Sequence, residues 1–111
     1  MTTYLASTFS PMMLSSDVRE TSIREIPLSS VPAVESMRSI VSHENTAAVL
    51  SMMLCEPVAF SRVNVELAPG DMLYCVVPYF RATEAREFTF DEVMSAGFRC
   101  FVVGCSGNPT R

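Results

Sequence analysis

Apolar and polar positions along the chain predict a sheet of about five strands together with three helices. The expected strands cover residues 4–6, 21–28, 62–67, 72–79 and 98–103, and the expected helices lie within 31–41, 45–55 and 89–97. Residues 62–67 alternate apolar with polar side chains, which is typical of a strand with one face in solvent. Residues 72–79 are almost continuously apolar, which is typical of a central strand buried on both faces. The pattern therefore predicts an α/β fold with a mixed sheet flanked by helices.

Turn and capping residues mark where several of these elements begin and end. Residues 89–92 match a capping box at the start of the third helix. Residues 68–71 place proline and glycine at the centre of a type II turn, which would join 62–67 to 72–79 as a hairpin. Pro27 cannot donate a ladder hydrogen bond, so the strand at 21–28 is expected at an edge of the sheet.

The length and composition are those of a single folded domain. The chain has 111 residues, of which 49% are hydrophobic and 18% charged, and its mean hydropathy is +0.27. This apolar content excludes intrinsic disorder, and no run approaches the roughly 20 apolar residues that span a bilayer. The start of the chain has no basic residue before its first apolar segment, so no secretory signal is expected. We expect a soluble cytoplasmic protein with a domain over residues 1–104 and a flexible tail over 105–111.

Charge and cysteine content narrow the possible partners. A net charge of −4 disfavours binding to DNA, which requires an excess of positive charge. All eight basic residues are arginine; this fits either phosphate recognition through the guanidinium or the codon usage of a GC-rich genome. Four cysteines without a C-x-x-C pair, together with one histidine, favour reduced thiols over a disulfide framework or a zinc site. No metal and no other cofactor is expected.

His43 is the only histidine, and it directly precedes the second expected helix. A helix N-terminus presents unpaired N–H groups that bind phosphate, and an imidazole next to it is suited to proton transfer. The alternative interpretation is a capping or surface histidine without chemistry.

Arg81 and Glu84 follow the strand that is expected to be central. Ligands often bind beyond the end of such a strand, where an arginine and a carboxylate can hold a phosphate and orient a proton donor. A solvated charged loop explains the same residues equally well. The sequence contains neither a glycine-rich phosphate loop nor a carboxylate cluster suited to a divalent ion, so any catalysis is expected to be independent of metal.

Taken in order, several short segments of the chain resemble one known family. These segments are Tyr4-Leu5-Ala6-x-x-Phe9-Ser10-x-x-Met13-Leu14, His43-x-x-Thr46, Arg62-Val63-x-Val65-x-Leu67, Leu73-Tyr74-x-Val76 and Arg81-x-x-Glu84. The chain resembles the viral anti-CRISPR ring nucleases, a family long described as a domain of unknown function in archaeal viruses and phages. The similarity extends to about residue 103. It implies a homodimer that binds cyclic tetra-adenylate, the second messenger of type III CRISPR defence, in a cleft spanning both subunits. It also implies action in the host cytoplasm.

The resemblance assigns roles to individual residues. His43 would be the general acid that protonates the departing 5′ oxygen. Arg81 would stabilise charge on the transition state, and Glu84 would assist proton handling or position His43. The ring would be opened by its own 2′-OH into linear di-adenylates, without metal. The residues expected to contact the substrate are Ser7, Ser10, Thr46 and Arg62.

The chain also departs from the family pattern. Ser42 stands where the family usually has glycine, Met12 where asparagine is common, and Val77 and Pro78 where more polar or aliphatic residues are usual. We expect these departures to change contacts with the ligand and the shape of the pocket more than the cutting chemistry, because the histidine, arginine and glutamate implied in cleavage are all present. Two alternatives to a ring nuclease remain, namely a sponge that binds cyclic oligoadenylate without cutting it and a small dimeric viral regulatory or scaffold protein.

Overall fold

In the computed structural model, which describes residues 1–82 and 87–107, a five-stranded mixed sheet carries both α-helices on one face. The strands are β1 (Thr3–Ala6), β2 (Val18–Ile26), β3 (Arg38–Ser39), β4 (Met72–Pro78) and β5 (Phe98–Gly107), and the helices are α1 (Glu44–Leu54) and α2 (Phe90–Ala96). The order across the sheet is β2-β5-β4-β1-β3. β1 is parallel to β3 and β4, whereas β5 is antiparallel to β4 and β2. The predicted α/β class and five-stranded mixed sheet are confirmed.

Elements with strong local signals form where the sequence predicts them. α1 begins one residue before the expected range, and β4 lies at the centre of the sheet. α2 has the predicted capping box, in which Glu92 N donates to Thr89 Oγ1 over 3.2 Å and Thr89 N donates to the Glu92 carboxylate over 3.1 Å. These bonds satisfy two N–H groups that the first helical turn leaves unpaired.

The predicted strand at 62–67 and its hairpin with β4 are wrong. Only Leu67 makes a bridge there, a parallel one to Leu14. The reason is that both edges of β4 are already occupied, by β1 on one side and β5 on the other. The turn itself does form: Asp71 N donates to Ala68 O over 3.0 Å, and Gly70 takes a φ of +93°, which only glycine adopts readily.

The helix predicted within 31–41 is also wrong. This segment contains a 3₁₀ turn at Val34–Ser36 and the short strand β3 instead. Val34, Met37 and Val41 are still buried, as the apolar spacing requires. The unpaired edge of β1 offers this backbone ladder hydrogen bonds, and Pro32 disfavours a continuous helix next to it. Pairing with the sheet therefore outweighs the helical pattern.

The two long antiparallel strands extend further than predicted. β2 is an edge strand, as expected, but it begins at Val18. β5 continues to Gly107 and pairs with β2 along its length. Residues 105–107 consequently belong to the sheet, and the predicted start of a flexible tail at residue 105 is incorrect.

The sheet separates two apolar cores. On the helix face, Leu5, Val76 and Cys100 pack with buried residues of both helices. On the opposite face, Tyr4, Leu73 and Cys75 are among the buried residues of a second cluster that the loop segments around Phe9–Leu14 and Val65–Leu67 partly cover. Within the described residues, no helix has the length and apolar character needed to cross a membrane.

Candidate functional site

A cavity of about 250 Å³ lies at the carboxyl ends of β1 and β4, next to the first turn of α1. Its polar lining consists of Ser7, Asn45, Thr46 and Arg81. Its apolar lining consists of Val49, Val77, Pro78, Phe80 and Ala82. Ser7 and Thr46 are expected site residues from the family resemblance and Arg81 from its place after β4, and the fold brings them to one cavity, which we call the first cavity.

The topology explains why these residues meet. Ser7 is the first residue after β1, and the parallel register of Ala6 with Cys75 places it beside the end of β4. β3 runs parallel to β1, so α1, which follows it, starts at the same edge of the sheet. The carboxyl edge of an α/β sheet is the usual ligand site of such folds, because strand ends and helix N-termini converge there.

The N-terminus of α1 is suited to binding an anion. His43 is the N-cap, with extended backbone angles and no side-chain capping hydrogen bond. The first helical bond runs from Ala47 N to His43 O over 3.0 Å. The amides of residues 44–46 therefore have no partner within the helix and carry the positive end of its dipole. Glu44, in the first turn, offsets part of that positive potential.

Arg81 contributes the positive charge of the first cavity. It is exposed, in the segment that follows β4. Among the described residues its guanidinium has no carboxylate within salt-bridge distance, in contrast to Arg99, which is held by Glu25 at 2.8 Å. An arginine that pairs with no described carboxylate at a cavity is available for bidentate binding of phosphate.

Residues on either side of His43 in the sequence line two different cavities. Ser42, the preceding residue, lines a cavity of about 530 Å³, whereas Asn45 and Thr46 line the first. This second cavity is otherwise lined by Thr8, Met12, Met13, Ile40 and residues 63–66. The exposed His43 does not itself line either cavity. Ser7 lines the first cavity and Thr8 lines the second, so two adjacent residues after β1 reach both.

Three other predicted site residues are not found among the described residues that line the first cavity. Ser10 is the N-cap of the 3₁₀ turn at Pro11–Met13, where its hydroxyl accepts a hydrogen bond from Met12 N over 3.2 Å. Arg62 is exposed in the segment before Leu67 and does not line the first cavity. Glu84 lies outside the described residues, so its predicted role is untested.

Sequence reasoning did not identify Asn45 or the second cavity. Asn45 lies inside the His43-x-x-Thr46 motif, and its place in the first helical turn was a usable signal. The second cavity was hidden because residues 62–67 were interpreted as a strand. As an irregular segment they leave room against the 3₁₀ turn at Pro11–Met13.

Comparison with known proteins identifies both a family and a fold. The sequence model of a family described as STIV B116-like matches residues 3–100. The fold is similar to that of B116 of Sulfolobus turreted icosahedral virus, with a TM-score of 0.75 and 15% sequence identity. The alignment covers 94% of this chain and 99% of that chain. A comparison with curated protein sequences gave no match.

Proposed function

The chain belongs to the STIV B116-like family, a viral protein family, and from the geometry of its site we propose that it is a metal-independent ring nuclease. The proposed substrate is cyclic tetra-adenylate, and its opening into linear di-adenylates would make the protein an anti-CRISPR factor. The observation that carries the proposal is the first cavity, which Ser7, Thr46 and Arg81 line at the N-terminus of α1. The N-cap residue of that helix, His43, makes no side-chain capping hydrogen bond.

Charge and donor geometry support a phosphodiester as the ligand. Arg81 supplies a guanidinium without a described protein partner, and the first turn of α1 supplies backbone N–H groups. Thr46 and Ser7 add hydroxyl groups within the same lining. Together these are the donors that bind phosphate oxygens, and they form a local positive site on a chain with net charge −4.

The chemistry requires few groups because the substrate carries its own nucleophile. A ribose 2′-OH loses its proton to water as its oxygen attacks the adjacent phosphorus in line, the bond to the 5′ oxygen breaks, and a 2′,3′-cyclic phosphate forms. Two such cleavages, at opposite phosphates of the ring, give two linear di-adenylates. His43 donates a proton to the departing 5′ oxygen, while Arg81 stabilises the negative charge that develops on the phosphoryl oxygens. Glu84 retains the role that the family resemblance implies.

Cavity size supports a homodimer. A volume of about 250 Å³ lies below the range of about 300–1,000 Å³ that is typical of pockets for drug-sized ligands. A ring of four nucleotides therefore needs additional surface, which the second cavity and, in the proposed homodimer, a second copy of the chain would supply. A twofold axis doubles every ligand group, which suits a symmetric ring.

The departures from the family pattern are divided between the two cavities. Met12 and Ser42 line the second, whereas Val77 and Pro78 line the first. We expect these departures to alter contacts with the ring, and thereby ring-size preference, more than the cutting step.

Incubation of the purified protein with cyclic tri-, tetra- and hexa-adenylate in EDTA, followed by separation of the products, tests the proposal. Linear di-adenylate from the four-membered ring is the expected product. Arg81→Ala should slow its formation by about 10²–10³-fold, as loss of a charge-stabilising group does. The matched control Arg38→Ala changes an exposed arginine on β3 and should leave the rate within about twofold, as a surface change does. Unchanged rings after long incubation would contradict the proposal.

One observation favours a sponge as the second candidate function. His43 is exposed and does not line the first cavity, so the ring can bind there without contacting the acid. Stoichiometric protection of cyclic tetra-adenylate without linear product identifies this alternative. Absence of any ligand-induced thermal shift points instead to a scaffold or regulatory protein.

A further inference from the structure

A cavity of about 300 Å³, which we call the third cavity, lies on the face of the sheet opposite the helices. Its apolar lining consists of Phe9, Ile23, Cys75, Val77, Phe101 and Val103. The strand register explains this grouping. Cys75 pairs with Phe101 and Ile23 pairs with Val103, and side chains at paired positions point to the same face of a sheet.

The polar residues of the third cavity are the ones that it shares with the other two cavities. Ser7 also lines the first cavity, and Thr8 also lines the second. Val77 lines both the first and the third. Among the described residues, no charged side chain lines the third cavity. A neutral apolar group therefore suits it better than a phosphate, because an unpaired buried charge is costly.

One aromatic wall of the third cavity is fixed by contacts within the chain. The guanidinium carbon of Arg99 lies 5.0 Å from the centroid of the Phe101 ring. Arg99 is in turn held by two hydrogen bonds to the Glu25 carboxylate, of 3.2 and 2.8 Å. The Phe101 ring is thus held in place by groups other than a ligand, and a preorganised wall lowers the entropic cost of binding.

The shared residues indicate what reaches the third cavity. In a nucleotide, the base is joined to its phosphate through a single ribose. A cavity that shares Ser7 and Val77 with the proposed phosphate site lies where the base of a bound nucleotide can extend. Bases stack favourably on aromatic side chains, and every base offers a flat face for this contact. Ile23, which is 58% exposed, would be covered by such a ligand.

We propose that the third cavity is a nucleobase subsite, in which one base of a bound oligoadenylate stacks on the aromatic lining of Phe9 and Phe101 while the adjoining phosphate binds at the first cavity. The inference rests on the proposed function for the identity of the ring. The preference of the subsite for a base is tested separately, with a mononucleotide.

Methyl NMR of the natural chain during titration with adenosine 5′-monophosphate tests the subsite directly. The methyl resonances of Ile23 and Val103 should shift saturably, because an aromatic base changes the local magnetic field next to it. Ribose 5-phosphate has the sugar and the phosphate without the base and should leave them in place. Val93, buried in the opposite core, is the internal control. No shift with the mononucleotide, or an equal shift with ribose 5-phosphate, would overturn the proposal.

Affinity for cyclic tetra-adenylate tests whether the ring uses the subsite. A His43→Ala background prevents cutting during the measurement. Adding Phe9→Leu and Phe101→Leu together keeps the lining apolar but removes both aromatic rings, and affinity should fall about tenfold. The control Phe90→Leu changes an exposed aromatic residue of α2 outside the cavity and should leave affinity within about twofold. Melting temperatures verify that each variant is folded.

The two measurements separate failure of the subsite from failure of the proposed function. Equal ring affinity with and without the two leucine substitutions overturns the subsite, while cleavage by the natural chain still supports the proposed function. A natural chain that neither binds nor cuts the ring overturns the proposed function, and the mononucleotide titration then decides the subsite by itself.

Discussion

The buried carboxylate of Asp71 fixes the start of β1 to the turn before β4, and its removal tests how the sheet is held together. The side chain is 6% exposed. It accepts hydrogen bonds from Thr2 N over 2.8 Å and from Ala68 N over 2.9 Å. A hydrogen bond to a charged group contributes about 1.5–3 kcal/mol. Two such bonds together contribute about 3–6 kcal/mol. Because both donors lie near the surface and can bind water once the carboxylate is gone, Asp71→Ala should lower the free energy of unfolding by about 3 kcal/mol, the lower end of that range.

Urea unfolding followed by circular dichroism measures this loss. With a slope of about 1.5 kcal/mol per molar, the midpoint should fall by about 2 M in Asp71→Ala. Asp71→Asn retains one acceptor oxygen and should lose about half as much. The control Asp17→Ala removes an exposed carboxylate and should shift unfolding by less than about 0.5 kcal/mol. A midpoint for Asp71→Ala within about 0.5 M of the natural chain refutes the reasoning.

Three further predictions concern α2 and the thiols. Thr89→Ala removes the hydroxyl that accepts from Glu92 N and should cost about 1 kcal/mol in the same urea experiment; an unchanged midpoint contradicts the capping role. Cys55 is exposed and the other three cysteines are buried, so a thiol reagent should label one cysteine rapidly in the native protein and four after unfolding. Burial raises the pKa of Cys75 from 9.0 to about 11, so stability should be retained below pH 9 and fall as pH rises toward 11. A stability that stays level over that range contradicts the burial of this thiol.

Local signals predicted the parts of the fold that local interactions determine. The capping box of α2, the turn at Ala68–Asp71 and the apolar run of β4 all involve residues close in sequence. The interpretation failed at 62–67 and 31–41, where the outcome depends on which sheet edge is free. β1 and β5 occupy both edges of β4, and the free edge of β1 recruits β3. Alternation and helical spacing carry no information about that competition.

The candidate site was predicted to a similar extent. Arg81 was identified because the end of a central strand is a recurrent ligand position, whereas Ser7 and Thr46 were assigned only by the family resemblance. All three line one cavity. Ser10 caps a 3₁₀ turn. The sequence around Ser10 is compatible with capping and with ligand binding, so it did not show which of the two roles this residue has. The second cavity depends on the path of residues 63–66, which only the three-dimensional structure reveals.

The most direct test of the central claim is single-turnover cleavage of cyclic tetra-adenylate by the natural chain and by His43→Ala, in EDTA, with ligand affinity measured in parallel. His43 is the exposed N-cap of α1 and makes no side-chain capping bond, so its removal should leave the fold and ring binding largely intact. The account predicts that cleavage falls by about 10²–10⁴-fold, the contribution typical of a general acid. Equal cleavage by both proteins contradicts it.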